Sequence, residues 1–177
     1  MAQNSRIYKA NLSIADMDRH YYAEHTLTLA CHPSETEERL MIRILAFALN
    51  AHPDLLPAGG IAAADEPDLW KKDLTGSVEL WIELGQPDER RILKACGRSR
   101  EVIVYTFGNR PELWFASVKT AVSRAGNLRI VSVDADSAKN LARLAGRTMD
   151  LQVSIEDGDI WVRTETDSVP VVTVLLQ

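Results

Sequence analysis

Two cysteines in 177 residues, Cys31 and Cys96, leave no disulfide framework and no thiolate pairs at metal-ligand spacing. Their simplest use is as small core residues. The chain has four histidines, and three of them, His20, His25 and His32, fall near Cys31 at spacings that match no pair of zinc ligands; a strand would also send His20 and His25 to opposite faces. Gly59 and Gly60, with Gly76 beyond them, do not make a phosphate-cradling loop, and nothing resembles a serine-hydrolase elbow. No apolar run approaches the roughly 18 residues of a membrane span, and the polar start "MAQNSRIYK" lacks an apolar signal core. A soluble cytoplasmic protein with no membrane partner is expected. Basic residues are the minority, 20 Lys and Arg against 25 Asp and Glu for a formal charge of −5. Any contact with nucleic acid must therefore run through a local basic patch rather than the overall field.

What is abundant is patterned apolar residue. At 46% hydrophobic the chain suffices for one well-buried core, so a single domain over 1–177 is expected. "RIYKANLSIAD" and "HYYAEHTLTLAC" alternate as a pair of strands joined near Asp16 to Arg19. "SETEERLMIRILAFALNAH" is the clearest helix, with Ser34 as cap and Glu37 completing a capping box. "PDLLPAGGIAA" breaks it. A hairpin over Pro67 to Leu84 leads into a helix with Pro87 in its first turn, Asp88 and Glu89 at its positive end and Gly97 at its stop. Then follow the strand "REVIVYTFG", the helix "PELWFASVKTAVSRAG", the strand "NLRIVSV" and the helix "DADSAKNLARLAGR". A hairpin about Asp157-Gly158 and a last strand in "VPVVTVLL" close the chain. Helices alternate with strands in the middle and hairpins sit at both ends. This predicts an α/β (α+β) fold with a mixed sheet flanked by helices.

The chemistry, if any, lies in the acids. "SVELWIELG" puts Val78, Leu80, Ile82 and Leu84 on one face and Glu79, Trp81 and Glu83 on the other, the pattern of a half-buried strand. An acidic strand face that becomes covered must find a cation, a metal or a set of donors. On the first helix, Leu40, Met41, Ile44, Leu45, Phe47, Ala48 and Leu49 form the apolar arc, opposite Arg39, Arg43, Ala46 and Asn50. Glu38 projects back into the apolar arc without the local excuse that capping gives Glu37. Asp65, Glu66 and Asp68 surround Pro67 ahead of Glu83, with Gln86 three residues beyond. One or two carboxylates plus a substrate phosphate suffice for Mg²⁺, so Asp68 and Glu83 meet that need if their segments are neighbours. The next helix offers Arg91, Lys94 and Arg98 on one face as cations, or as an ordinary solvated face.

"RHYYAEHTLTLACHPSETEERLMIRILAFAL", "DEPDLW", "WIELGQPDERR" and "GRTMDLQVSIEDGDIWV" resemble, in order and across nearly the whole chain, the bacterial YaeQ family. That resemblance implies a fold similar to the PD-(D/E)XK nuclease class: a restriction-endonuclease-like core of Ser34 to Ala51, the Ile61 to Glu83 region, Pro87 to Cys96 and Glu101 to Phe107, with added N- and C-terminal strands. It implies metal ligands at Glu38 (or Glu37), Asp68 and Glu83, with Asp65 or Glu66 as alternatives on the other side of Pro67, and Mg²⁺ or Mn²⁺ as cofactor. The class places lysine two residues after the strand acid, where this chain has Gly85. Either Lys94 or Arg91 supplies the cation, or Gln86 substitutes, or hydrolysis is lost. The readings that follow are a divalent-metal-dependent phosphodiesterase acting on DNA or RNA, a non-catalytic descendant that binds nucleic acid or protein, and a structural protein whose acids only pair with its arginines.

Overall fold

The alternation of Arg6–Asp16 (β1) buries Tyr8, Ala10, Leu12 and Ile14 on one face. Tyr21–Cys31 (β2) pairs with it antiparallel in unbroken register, from Arg6 opposite Cys31 to Asp16 opposite Tyr21. Asp16 closes the turn by accepting from Arg19 Nε at 2.6 Å and from its backbone N–H at 3.0 Å. This computed structural model describes residues 4–177. The chain divides into two compact units, one made of the described residues up to Leu49 with Asp136–Val172, the other of Asn50–Ala135 with Thr173–Gln177.

In the first unit, Thr148–Glu156 (β8) runs parallel to β1, and Asp159–Arg163 (β9) and Ser168–Val171 (β10) extend the sheet to the order β10-β9-β8-β1-β2. Asp157 and Gly158 both adopt positive φ, 51° and 81°, as the predicted type I′ turn demands. Glu37–Leu49 (α1) is the main helix of this unit, and the ring of Phe47 meets His25 of β2 edge-on. Every residue from Leu40 to Ala48 is buried. The polar face expected at Arg39, Arg43, Ala46 and Asn50 is therefore not solvated: Arg43 is buried beside Glu35, which accepts from Arg43 Nη2 at 3.1 Å and Arg39 Nη1 at 3.2 Å. The cap also differs. Thr36, not Ser34, accepts the backbone N–H of Arg39, because the Ser34 hydroxyl is engaged with His32 Nδ1 at 2.6 Å.

In the second unit, Val78–Leu84 (β5), Glu89–Arg98 (α2), Ser99–Thr106 (β6), Pro111–Val122 (α3) and Leu128–Val133 (β7) form two successive parallel crossovers. Ile92 and Ala95 of α2 and Val118 and Val122 of α3 join Trp81, Val102, Val104 and Ile130 in one core cluster. Leu55–Pro57 (β3) and Leu69–Lys72 (β4) add antiparallel strands beyond β5, and Thr173–Leu175 (β11) pairs with β7, giving the order β11-β7-β6-β5-β4-β3.

The fold is thus mixed α+β, with two mixed sheets in place of the one expected. Local readings differ as well. Leu55–Pro57, read as a break after the first helix, is a short edge strand. "VPVVTVLL" is two strands, interrupted at Val172, whose N–H goes to Ser137 Oγ at 2.9 Å instead of to a ladder. Gly97 does not stop α2, which runs through Arg98 directly into β6. Among the described residues no helix is long and apolar enough to cross a membrane.

Candidate functional site

β4 and β5 are neighbours in antiparallel register, Leu69 opposite Ile82, and this sets Asp68 beside Glu83. Asp68 straddles the strand: its N–H donates to Ile82 O at 3.0 Å, and its Oδ2 accepts the Leu84 N–H at 3.0 Å. Gly60, at the head of a 3₁₀ turn over Gly60–Ala62, passes so close that a Cβ there would lie 2.7 Å from Asp68 Oδ1, and its φ of 53° favours glycine independently.

Glu83 points to the same face as Trp81, and that face is covered by α2. Both side chains are about 3% exposed, so this half of β5 is buried on both sides rather than half-buried. The cation that such a carboxylate requires is Arg91. Its Nη2 and Nε approach Glu83 Oε1 at 2.8 and 3.0 Å, and Trp81 Nε1 donates to the same oxygen at 2.9 Å. The remaining guanidinium donors reach Ala64 O and Glu66 O, so one side chain ties the strand to the loop before β4. Asp88 caps α2 by accepting the Arg91 N–H at 2.8 Å, which fixes the turn from which the guanidinium departs.

The neighbouring cations turn the same way. Lys94 Nζ donates to Asp65 Oδ1 at 2.7 Å, and Arg98 reaches Asp65 O at 3.4 Å while its guanidinium lies 5.4 Å from the Trp81 ring centre. Glu66 Oε2 accepts the N–H of Gly59 at 2.8 Å. Burial pushes the Glu83 carboxyl above its ordinary range and the charge of Asp68 adds to the rise, against the pull of Arg91 and Trp81. For Arg91, burial works against the charged form, but the hydrogen bond and charge of Glu83, with Asp68 and Asp88, outweigh it and raise the pKa. The hydrogen bond and charge of Lys94 hold Asp65 below the usual carboxylate range.

Asp65, Glu66, Asp68, Glu83, Arg91 and Lys94 are therefore neighbours, with Glu83–Arg91 and Asp65–Lys94 as ion pairs and the Glu66 and Asp68 carboxylates accepting backbone N–H groups. Gln86 is exposed and donates to Asn109 O at 2.9 Å. Gly85 has φ of 94°, a conformation that itself selects glycine. Glu38 lies in the first unit, half-buried in the first turn of α1, and Glu37 beside it is exposed. Among the described residues no group of three or more His, Cys, Asp and Glu side chains is arranged to hold a metal ion. Glu83 Oε1 already takes three donors, so that oxygen does not fit as a ligand to Mg²⁺ or Mn²⁺. Sequence reasoning missed two partners. Trp81 is one, although the two-residue spacing puts its indole on the face of Glu83. The buried Glu35 with Arg39 and Arg43 is the other, signalled by spacings of four and eight.

Together these features define an α+β protein of two mixed sheets whose second unit carries an internal carboxylate–arginine clamp. The chain belongs to the YaeQ protein family, whose model matches residues 1–173. It is 40% identical over 172 residues to the "Uncharacterized protein YaeQ" of Escherichia coli (strain K12), covering 97% of this chain and 95% of that one. The crystal structure of the YaeQ protein from Xanthomonas axonopodis pv. citri superposes with a TM-score of 0.94 at 46% identity, covering 98% of both chains. That from Pseudomonas syringae gives 0.95 at 34% identity, covering 99% of this chain and 98% of the other.

Proposed function

We propose that the chain is a non-catalytic protein-binding descendant of a nuclease-like fold, in which the acids of the ancestral metal site serve as an internal clamp. The chain order α1, β3, β4, β5, α2, β6 supports the descent, since it reproduces helix, three strands, helix, strand. One observation carries the reading: Arg91 is committed to the buried Glu83 carboxylate, while Lys94 pairs with Asp65 at the surface. A cation committed to a carboxylate is not available to a phosphodiester, and a carboxylate filled by arginine is not available to a divalent ion. The same contact withdraws Arg91 from any local basic patch on which nucleic-acid binding would depend.

The test is calorimetry with Mg²⁺ and Mn²⁺ on the wild type and on Glu83→Gln, with cleavage assays on single- and double-stranded DNA and RNA. Neither ion should bind at Glu83, and highly purified wild type and variant should be equally inert. Ion binding or cleavage that Glu83→Gln abolishes would overturn the reading.

A second reading, the divalent-metal-dependent phosphodiesterase, draws on Asp68 and Glu83, two buried acids on adjacent strands with the Glu83 pKa raised. It requires Arg91 to leave Glu83. The wild type would then bind Mg²⁺ and Arg91→Ala would bind it more tightly, whereas the clamp reading expects no binding to the wild type.

A further inference from the structure

β2 is an edge strand of eleven residues in the first unit. Which of its main-chain groups face outward follows from the register. The N–H groups of Lys9 and Met17 donate to Arg147 O and Ile155 O, each at 2.8 Å, so odd residues of β1 face β8 and even ones face β2. Even residues of β1 stand opposite odd residues of β2. The N–H and C=O groups of Tyr22, Glu24, Thr26, Thr28 and Ala30 therefore point away from the sheet. Among the described residues only Ala30 O has a partner, Arg43 Nη2 at 3.2 Å.

Long free edges are ordinarily blunted by proline, lysine, bulges or shortness. "YYAEHTLTLAC" has neither proline nor lysine, and its pairing with β1 is unbroken by a bulge. The strand is also uneven in its cover. Toward the core, Tyr21, Ala23 and His25 are half-buried, whereas Leu27, Leu29 and Cys31 are fully buried.

We propose that this edge pairs with a second copy of the same chain, antiparallel and two-fold symmetric about Thr26. That register puts Tyr22 opposite Ala30, Glu24 opposite Thr28 and Thr26 opposite itself, so no like charges meet and all five outward residues find ladder partners. On the inner side it sets half-buried Tyr21, Ala23 and His25 of each copy against Cys31, Leu29 and Leu27 of the other, completing the cover that one chain leaves unfinished. A shift of one pair sets Glu24 opposite Thr26 or Ala30 and leaves Ala30 or Tyr22, at the end of the strand, without a ladder partner. The strand is thus self-complementary in one register, the property of an isologous interface. The inference rests on the first unit alone and is independent of the clamp at Glu83.

Light scattering on the eluting wild type should give twice the chain mass, dissociating on dilution. Thr26→Pro removes an N–H that makes no bond within the chain, so the β1–β2 ladder survives and the mass should fall to that of one chain with an unchanged far-ultraviolet spectrum. A single cysteine at the symmetry axis provides an independent readout. Facing residues of a hydrogen-bonded pair lie about 5.5 Å apart at Cα, within the roughly 4.4–6.8 Å that a disulfide spans. Thr26→Cys should therefore cross-link to itself on mild oxidation, while Asn11→Cys, one strand further in, should not. A wild type that stays monomeric at every concentration, a folded Thr26→Pro variant that stays dimeric, or equal cross-linking of the two cysteine variants would overturn the proposal.

Discussion

Replacing Arg91 by methionine leaves Glu83 about 3% exposed with Trp81 Nε1 as its one remaining side-chain donor. Removing one partner of a buried ion pair costs ~3–5 kcal/mol, and each lost bond to Ala64 O and Glu66 O adds about 1 kcal/mol. Arg91 keeps 28% of its side chain in solvent, which places the pair toward the lower end. A loss of about 5 kcal/mol in all corresponds to roughly 10–20 °C in melting temperature for a chain of this size. The direction with pH is fixed by Glu83. Its folded-state pKa lies above the ordinary value of 4.5 because of burial, so the native state holds the proton more tightly than the unfolded chain. The stability due to that proton is fully present below the unfolded value and is lost as pH rises through the folded pKa. Without Arg91 the folded pKa climbs further. Arg91→Met should thus be most destabilised at neutral and alkaline pH and recover as pH falls toward the ordinary glutamate range. Urea unfolding across pH, on Arg91→Met, Glu83→Gln and the double variant, reads the effect. Glu83→Gln should be milder, since its amide oxygen still accepts from Trp81 and Arg91, and the double variant should be more stable than Arg91→Met alone. A pH-independent loss below about 1 kcal/mol, or a double variant no better than the single, would show that the pair does not hold the second unit together.

Gly60→Ala forces a left-handed residue and a Cβ against Asp68 Oδ1, whereas Gly76, at φ 87°, has nothing within 4 Å of the same position. Gly60→Ala should therefore cost more than Gly76→Ala, which carries backbone strain alone at about 1–3 kcal/mol; chemical denaturation of both compares them. Glu35→Ala strips the buried Arg43 of its carboxylate, with an expected loss of ~3–5 kcal/mol, and Glu35→Ala combined with Arg43→Met should restore part of it in thermal melts.

The elements with strict periods were legible in the sequence. β1 alternates well and β2 approximately, the Asp157-Gly158 turn carries its own signature, and Asp88 and Glu89 mark the start of α2, with Pro87 just ahead of the helix rather than in its first turn. What was not legible was whether each face would be covered. Period two in "SVELWIELG" separates Trp81 and Glu83 from Ile82 and Leu84 correctly, but α2 closes over the supposedly open face. The same holds for α1, where Arg43 occupies a polar position on the wheel and is nevertheless buried, because Glu35 lies two turns back to receive it. Val172 gives no sequence signal for its break, since the group that intercepts its N–H, Ser137, is 35 residues away.

The candidate site shows the same limit in its chemistry. Asp65, Glu66, Asp68, Glu83, Arg91 and Lys94 lie together, apart from Gln86 on Asn109 O, yet carboxylates with arginines behind them describe a metal centre with a catalytic cation and a set of ion pairs equally well. Geometry separates the two. In a metal centre the acid oxygens converge on a common point and the cation approaches from beyond it; here Arg91 Nη2 and Nε lie on Glu83 Oε1 itself, and Lys94 lies on Asp65. In the first turn of α2 the Arg91 N–H is held by Asp88, and from that anchored position its guanidinium reaches the buried strand carboxylate directly.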